Sequence, residues 1–311
     1  MSDQSVVLLF SGQGAQAVGM GKDLLPLVQS DNSLVAQADE ILGWSLSEVM
    51  FAGPMEELTR TSRCQPALYV HGLLCLKLLQ ERVPNLKIVG TAGLSLGEFT
   101  AHTAAGTFDF ESGLNLVAKR GRYMEQATDA TEGAMAAMIG GDEAAVVALA
   151  AECGVDVANY NAPGQIVLSG AVAGIEMAVE LAKSKGIKLA KKLPVAGAYH
   201  SRMMQSAQEK LAEELKRVSV QEPSVPVVCN VEAREVKTQE EILATLEAQV
   251  TGSVRWTESM KVFLEKGETQ FIELGPGGVL AGLMRRIDRS ASVLKVEDAG
   301  SLEAVVEALR A

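Results

Sequence analysis

The sequence predicts an α/β fold with a mainly parallel sheet and an inserted α+β subdomain of ferredoxin-like pattern. Strands and helices alternate over most of the 311 residues, which is typical of a parallel sheet covered by helices on both faces. The middle of the chain departs from this alternation and predicts the order strand, helix, strand, strand, helix, strand.

The first strand, at 5–10 (SVVLLF), is uniformly apolar and ends at the turn SGQG, as expected for a buried strand. The apolar periodicity next predicts helices at 20–29, 32–50 and 66–82, a core strand at 86–95, and helices at 96–105 and 110–127.

The inserted subdomain is predicted at 129–196, between core segments 1–128 and 197–311. It has strands at 134–139, 155–160, 165–170 and 187–195, with helices at 142–153 and 172–185. The second and third strands are joined across NAPG, a hairpin signal, and the second helix ends at Gly186, a typical helix terminus.

The alternation then resumes to the end of the chain. It predicts helices at 201–217, 238–249, 256–266 and 279–287, strands at 225–230, 271–274 and 292–296, the loop GPGG at 275–278, and a final helix.

The composition excludes several function classes. A net charge of −11 and only 4% aromatic residues argue against nucleic-acid binding and against anionic membranes. The four cysteines (Cys64, Cys75, Cys153 and Cys229) show no CxxC spacing, so we expect buried, reduced thiols and no metal site. The first residues lack a signal-peptide pattern and no apolar run is long enough to span a membrane. We therefore expect a cytoplasmic protein.

The strongest local signal is Gly93-Leu94-Ser95-Leu96-Gly97. This G-x-S-x-G follows a predicted strand and precedes a predicted helix, the context of a nucleophile elbow. The helix N-terminus would stabilise negative charge beside the serine. The alternative is a plain strand-to-helix turn in which the serine caps the helix.

A serine nucleophile needs a base, and His200 is the best placed of the three histidines. His102 lies too far along the same helix as Ser95, and His71 sits in an apolar helical stretch typical of the core. No acid is marked as a third member: Asp109, Glu111, Asp129, Asp142 and Asp156 lie between Ser95 and His200 without special context. A backbone carbonyl is the alternative partner of the imidazole.

Arg120 lies on the apolar side of its predicted helix, unlike its basic neighbours. A half-buried guanidinium needs an anionic partner, either a structural Asp or Glu or a substrate carboxylate held bidentately.

The loop 11–16 (SGQGAQ) lacks the lysine of a phosphate loop. A backbone N–H of this loop, together with that of Leu96, could form an oxyanion hole.

Together these motifs resemble the malonyl-CoA:acyl carrier protein transacylases over essentially the whole chain. The matching segments, in order, are FSGQGAQAVGMG, CQPALY, GLSLGE, KRGRYMEQA, NAPGQIVLSG, AGAYH, VPVVCNV and ELGPGGVLAGL. The resemblance implies an α/β-hydrolase-like core with the ferredoxin-like insertion.

The resemblance also implies roles for individual residues. Ser95 would be the acyl-accepting nucleophile, His200 its base, and Arg120 the partner of the malonyl carboxylate. The amides of Gln13 and Leu96 would form the oxyanion hole. The main-chain carbonyl of Gln249 would orient the histidine.

Further positions match family positions lining the cleft: Gln65, Asn161 and Asn230. Tyr199, before the histidine, is an aromatic that accompanies malonyl selectivity in the family. Many members have His at the position of Leu94, whereas others also have GLSLGE.

The implied activity is transfer of a malonyl group from coenzyme A to the phosphopantetheine thiol of acyl carrier protein, supplying fatty-acid synthesis. The resemblance implies no cofactor, no metal and a monomer, in the cytoplasm or in the plastid stroma after loss of a transit peptide.

An acidic carrier protein needs a basic surface on which to dock. Two clusters are candidates, or else solvated helix faces: Lys183, Lys185, Lys188, Lys191 and Lys192, and Arg285, Arg286 and Arg289.

Three alternatives to this activity stay open. They are an acyl-thioester hydrolase, a polyketide-pathway acyltransferase on the same scaffold, and a non-catalytic docking subunit. Arg120 argues against the hydrolase of neutral acyl chains, which has no use for a buried cation.

Overall fold

Two separate β-sheets organise the protein, as a computed structural model of residues 5–28 and 33–310 shows. The strands are β1 (Ser5–Phe10), β2 (Lys87–Gly93), β3 (Gly133–Ile139), β4 (Asp156–Ala162), β5 (Gln165–Ala171), β6 (Leu189–Lys192), β7 (Val227–Val228), β8 (Glu235–Val236), β9 (Gln270–Leu274) and β10 (Ser292–Val296).

Thirteen α-helices cover these sheets in the described part of the chain. They are α1 (Leu34–Leu42), α2 (Leu46–Ala52), α3 (Met55–Thr59), α4 (Thr61–Arg82), α5 (Leu96–Ala104), α6 (Phe110–Asp129), α7 (Glu143–Glu152), α8 (Val172–Leu181), α9 (Gln205–Leu215), α10 (Gln239–Ala248), α11 (Trp256–Glu265), α12 (Val279–Ile287) and α13 (Ala299–Arg310).

The larger sheet has six strands in the order β10-β9-β1-β2-β7-β8. All neighbouring pairs are parallel except β7 with β8. Successive side chains of β1 point to opposite faces: Leu8 joins the core on one face, and Leu9 the core on the other. Both faces of the sheet are thus buried, which confirms the predicted mainly parallel α/β fold.

The smaller sheet is antiparallel, in the order β4-β5-β3-β6. Counted within this segment, the order is 2-3-1-4, that of a ferredoxin-like sheet. The helices α7 and α8 pack on it over a core of its own. The strand order agrees with the predicted insertion, whereas the domain boundaries after 128 and 196 stay a prediction.

Two of the predictions of a helix are wrong, because one segment forms no α-helix and the other forms two. The segment predicted as a helix at 20–29 forms turns and a short 3-10 helix at Leu25–Leu27, because Pro26 removes a backbone donor; residue 29 lies outside the described residues. The helix predicted at 32–50 is two helices within the described part of this range, and residue 32 lies outside the described residues. Gly43, at φ 71°, ends α1 in the left-handed conformation.

Several predicted bounds also shift. Helix α4 begins at Thr61 rather than 66 and contains Pro66. The strand predicted at 225–230 has only two residues, and that predicted at 187–195 only four. The helix predicted at 172–185 becomes α8 followed by a 3-10 turn, which does end at Gly186. Helix α3 and strand β8 were not predicted, because each is too short to show a period.

The cysteines and His71 are core residues, as predicted, and His102 is buried as well. All four thiols are free and buried. His71 is fully buried on α4, where Nε2 contacts the carbonyl of Glu297 at 3.1 Å. His102 is fully buried on α5 beside Thr107. Within the described residues, no helix is both long and apolar enough to cross a membrane.

Candidate active site

The carboxyl ends of β1 and β2 place two loops side by side. Phe10 and Gly93 end these parallel strands in register, so the loop after β1 and the turn after β2 leave the sheet at one edge. The amide of Leu94 donates to the carbonyl of Phe10 over 3.1 Å, which ties the turn to the first loop. Ligands of open α/β sheets bind at this edge.

The two glycines of the elbow are required by close backbone contacts. A Cβ on Gly93 would lie 1.9 Å from the carbonyl carbon of Gly97, and a Cβ on Gly97 would lie 2.3 Å from the carbonyl oxygen of Phe10. Real Cβ atoms do not approach backbone so closely. The G-x-S-x-G pattern therefore reflects strand and helix packed against each other.

Ser95 occupies a strained turn, with φ 56° and ψ −111°. A non-glycine residue in such a conformation persists only where its surroundings hold it, commonly at a functional site. The serine oxygen Oγ lies 2.7 Å from Nε2 of His200. His200 itself has φ 55°. The fold thus brings together the serine and the histidine that the sequence singled out.

Two backbone carbonyls orient the imidazole of His200. Nδ1 lies 2.8 Å from the carbonyl oxygen of Gln249 and 3.2 Å from that of Gly252. A carbonyl only accepts, so Nδ1 carries the proton and Nε2 is free to accept from Ser95. Burial, and then the charge of Arg120, lower the pKa of His200 to about 4. The ring is therefore a neutral base at pH 7.

Arg120 reaches the serine from α6 and is 1% exposed. Its Nη2 donates to Ser95 Oγ over 3.1 Å and to Gln249 Oε1 over 2.8 Å, and its Nη1 donates to Gln65 Oε1 over 2.8 Å. Its Nε is buried with no hydrogen-bond partner among the described residues. Burial lowers its pKa to about 10, so the guanidinium stays charged.

The ion pairs of the described residues do not include Arg120. All three of its hydrogen-bond acceptors are neutral. The nearby acid is Glu98, which reaches Arg120 through the side chain of Gln249 and whose charge favours the guanidinium. A buried cation beside a nucleophile, with an unused N–H, fits an incoming carboxylate.

Sequence analysis missed Glu98, which is fully buried on α5. Its Oε2 accepts from Gln249 Nε2 over 2.6 Å and from the amide of Asn230 over 3.0 Å. Burial raises the pKa of Glu98 to about 7. The available signal was an acidic residue three positions after Ser95, inside the matched segment GLSLGE.

Three of the acids weighed as a third catalytic member have other partners, and none of the five contacts the imidazole of His200. Asp109 caps α6, Asp142 caps α7, and Asp156 pairs with Arg202. Glu111 and Asp129 lie at the two ends of α6. The carbonyl alternative for orienting the imidazole is the one that the geometry supports.

A cavity of about 610 Å³ opens above Ser95 and His200. Gln13, Gln65, Asn161 and Tyr199 line it, with apolar walls from residues such as Leu94, Val167 and Leu283. The Tyr199 hydroxyl is 2.6 Å from that of Thr61. Such a volume is typical of a site for a small molecule.

Two predicted polar residues occupy different places in this site. The side-chain oxygen of Asn161 is buried at the cavity without a hydrogen-bond partner among the described residues. Asn230 is instead fully buried beneath the elbow and is not part of the cavity wall. Its Oδ1 accepts from the amide of Ser95 over 2.8 Å and its Nδ2 donates to the carbonyl of Gly93.

The predicted oxyanion-hole amides lie beyond this edge of the sheet, one in the loop after β1 and one at the start of α5. Leu96 is the first residue of α5, so its N–H has no partner within the helix. Gln13 follows β1 and lines the cavity. Among residues 5–28 and 33–310, no three His, Cys, Asp or Glu side chains are grouped to hold a metal.

A strained elbow serine paired with a histidine, on an α/β sheet, defines a class of enzymes that work through a serine hydroxyl. Residues 7–307 match the model of the acyl transferase domain family. The chain belongs to this family.

Named relatives agree with this family. A malonyl CoA-acyl carrier protein transacylase of Bacillus subtilis is 41% identical, covering 98% of this chain and 97% of the relative. A polyketide-biosynthesis malonyl CoA-acyl carrier protein transacylase of the same organism is 40% identical, covering 93% of this chain and 99% of the relative.

Solved structures share the whole fold. An acyl-carrier-protein S-malonyltransferase of Bartonella henselae has a TM-score of 0.93 at 36% identity, over 99% of this chain and 100% of that one. A malonyl-transacylase in complex with a type II polyketide acyl carrier protein has a TM-score of 0.93 at 35% identity, over 98% of this chain and 100% of that one.

Proposed function

We propose that the protein transfers a malonyl group from coenzyme A to the phosphopantetheine thiol of acyl carrier protein through a malonyl-serine intermediate. The observation that carries the proposal is a buried, charged Arg120 with Nη2 3.1 Å from the oxygen of Ser95, itself 2.7 Å from His200. The relatives that are named transacylases support it.

In the first half-reaction, Ser95 Oγ attacks the thioester carbonyl while His200 Nε2 takes its proton. The Oγ–C bond forms and the C–S bond breaks, and the proton passes from His200 to the departing coenzyme A thiol. The amides of Gln13 and Leu96 stabilise the oxyanion of the tetrahedral intermediate. The second half-reaction reverses these steps with the carrier thiol as nucleophile.

The substrate carboxylate is assigned to Arg120, whose Nε has no partner in the described structure. Gln65 and Asn161 present side-chain amides to the same cavity and would contact the malonyl group or the pantetheine arm. Tyr199, held by Thr61, narrows the cavity beside His200 and supports selection of malonyl over branched groups. A hydrolase of neutral acyl chains has no use for this cation.

We place the carrier-protein docking surface at the end of α12. Val279 and Leu283 of this helix line the cavity, and the exposed Arg285, Arg286 and Arg289 follow. The lysine cluster is a weaker candidate, because Lys185 and Lys192 form ion pairs with Glu152 and Glu176.

The pathway is assigned to fatty-acid synthesis, with polyketide synthesis as the second candidate because relatives of both kinds reach about 40% identity. The monomeric state, the cytoplasmic or plastid location and the lack of a cofactor stay predictions.

Intact-protein mass after brief mixing with malonyl-CoA, then with holo acyl carrier protein, tests the proposal. We expect a malonyl adduct on Ser95 that moves to the carrier, and none in Ser95→Ala. An adduct lost to water at the same rate with or without carrier indicates a hydrolase. No adduct on folded protein indicates a binding role.

A further inference from the structure

Glu98 joins three segments of the active site beneath the elbow serine. It lies on α5, directly after the elbow, and its Oε2 accepts from the side chain of Gln249 and from the backbone of Asn230. Its Oε1 is buried without a hydrogen-bond partner among the described residues. A buried carboxylate is costly, so its presence at this place calls for an explanation beyond packing.

Gln249 is the residue through which Glu98 reaches the chemistry. The main-chain carbonyl of Gln249 orients His200, while its side-chain oxygen accepts from Arg120 Nη2. Its side-chain nitrogen donates to Glu98 over 2.6 Å and to the carbonyl of Ser95 over 2.9 Å. Gln249 therefore contacts the backbone of the nucleophile, the imidazole that activates it, and the guanidinium assigned to the substrate carboxylate.

The acceptor at Glu98 also fixes which way the Gln249 amide points. With the amide nitrogen held by two oxygens, the amide oxygen must face Arg120. A flipped amide would place two donors against the guanidinium and leave Glu98 without that hydrogen bond. Glu98 and the carbonyl of Ser95 together fix the orientation of the Gln249 amide, with its oxygen toward the guanidinium.

We propose that Glu98 is a positioning residue, which holds Gln249 so that its carbonyl sets the imidazole of His200 and its amide oxygen sets the guanidinium of Arg120. The inference rests on the proposed function for its link to malonyl selection. Its link to the serine–histidine pair is independent of the acyl donor.

Two conservative variants separate the effect of the side-chain length of Glu98 from the effect of its charge. Glu98→Gln keeps an oxygen at the same distance and loses the charge. Glu98→Asp keeps the charge and withdraws the oxygens by about 1.5 Å, one C–C bond. We expect Glu98→Gln to react within about threefold of wild type. We expect Glu98→Asp to be about 10²-fold slower, as for other small misplacements of catalytic groups.

The control is a second buried carboxylate. Glu273 is fully buried and accepts from the amides of Leu280 and Ala281 at the start of α12. Glu273→Asp shortens it in the same way. We expect this variant to lower the unfolding temperature while the malonyl-to-acetyl preference stays as in wild type. Glu98→Asp should lower that preference and raise KM for malonyl-CoA, which general destabilisation does not do.

The reactivity of Ser95 is measured with two probes, malonyl-CoA and a fluorophosphonate. In the fluorophosphonate reaction, Ser95 Oγ forms a bond to phosphorus, fluoride leaves, and His200 takes the hydroxyl proton. Wild type that reacts with the fluorophosphonate alone overturns the proposed function, while the variants still test Glu98. Wild type that reacts with neither overturns both.

The positioning role is overturned if folded Glu98→Asp keeps the wild-type rate and preference. It is also overturned if Glu98→Gln loses as much as Glu98→Asp, because the charge rather than the hydrogen bonds would then matter.

Discussion

Replacing Arg120 by Ala removes the cation assigned to the malonyl carboxylate. In the free enzyme its three hydrogen-bond acceptors are neutral oxygens, so the bound carboxylate would supply the countercharge. A buried charge-assisted pair is worth about 2–4 kcal/mol. At about 1.4 kcal/mol for each factor of ten, Arg120→Ala should lower the malonyl-to-acetyl ratio of kcat/KM by roughly 30- to 700-fold.

The assay compares initial rates of malonyl and acetyl transfer to holo acyl carrier protein. Arg122→Ala is a matched control, since Arg122 lies two residues away on α6 with its side chain exposed to solvent. We expect the control to keep the wild-type ratio. A folded Arg120→Ala whose ratio stays within about threefold of wild type would refute the assignment of the carboxylate to Arg120.

Three further predictions concern pH, the elbow and the docking surface. Because the pKa of His200 is lowered to about 4, kcat/KM for Ser95 acylation should fall only as pH drops toward 4, where Nε2 becomes protonated. A fall centred near 6.5 would contradict this. Gly93→Ala should cost about 1–3 kcal/mol in urea unfolding. Gly282→Ala, on α12 and with no atom within 4 Å of an added Cβ, should instead stabilise by up to about 1 kcal/mol. Arg285→Glu with Arg286→Glu should weaken transfer to the carrier and flatten its salt dependence, leaving acylation by malonyl-CoA unchanged; an unaltered salt dependence would contradict the docking surface.

The sheets and the elbow could be predicted because local patterns determine them. The apolar run of β1 and the alternation of strands with helices predict a parallel sheet. The glycines around Ser95 mark a turn where backbones touch. The helix predicted at 20–29 does not form and contains Pro26, and the helix predicted at 32–50 is divided at Gly43. In both segments the prediction followed the apolar periodicity and gave too little weight to the helix-breaking residue.

The hydrogen-bond network inside the site could not be predicted from the residues alone. Asn230 and Gln249 lie 135 and 154 residues from Ser95 along the chain, yet each bonds to its backbone. Their placement depends on tertiary packing, which leaves no periodic trace. Glu98 was missed for another reason: an acid near a helix N-terminus is usually a solvated residue that favours the helix dipole, and only burial shows otherwise.

The orientation of His200 by carbonyls follows from the charge that the proposed substrate carries. A carboxylate at Nδ1 would add a negative charge beside the site where a malonyl carboxylate must bind, and would compete with it for Arg120. The carbonyls of Gln249 and Gly252 fix the same tautomer without net charge. Burial, and then the charge of Arg120, lower the pKa of His200. The two carbonyls raise it only in part, because a carbonyl dipole stabilises the imidazolium less than an ion would. The one carboxylate in the network, Glu98, contacts the nitrogen of the Gln249 amide, whereas Arg120 contacts the oxygen of that amide. Glu98 therefore orients the amide without bonding directly to the guanidinium assigned to the substrate.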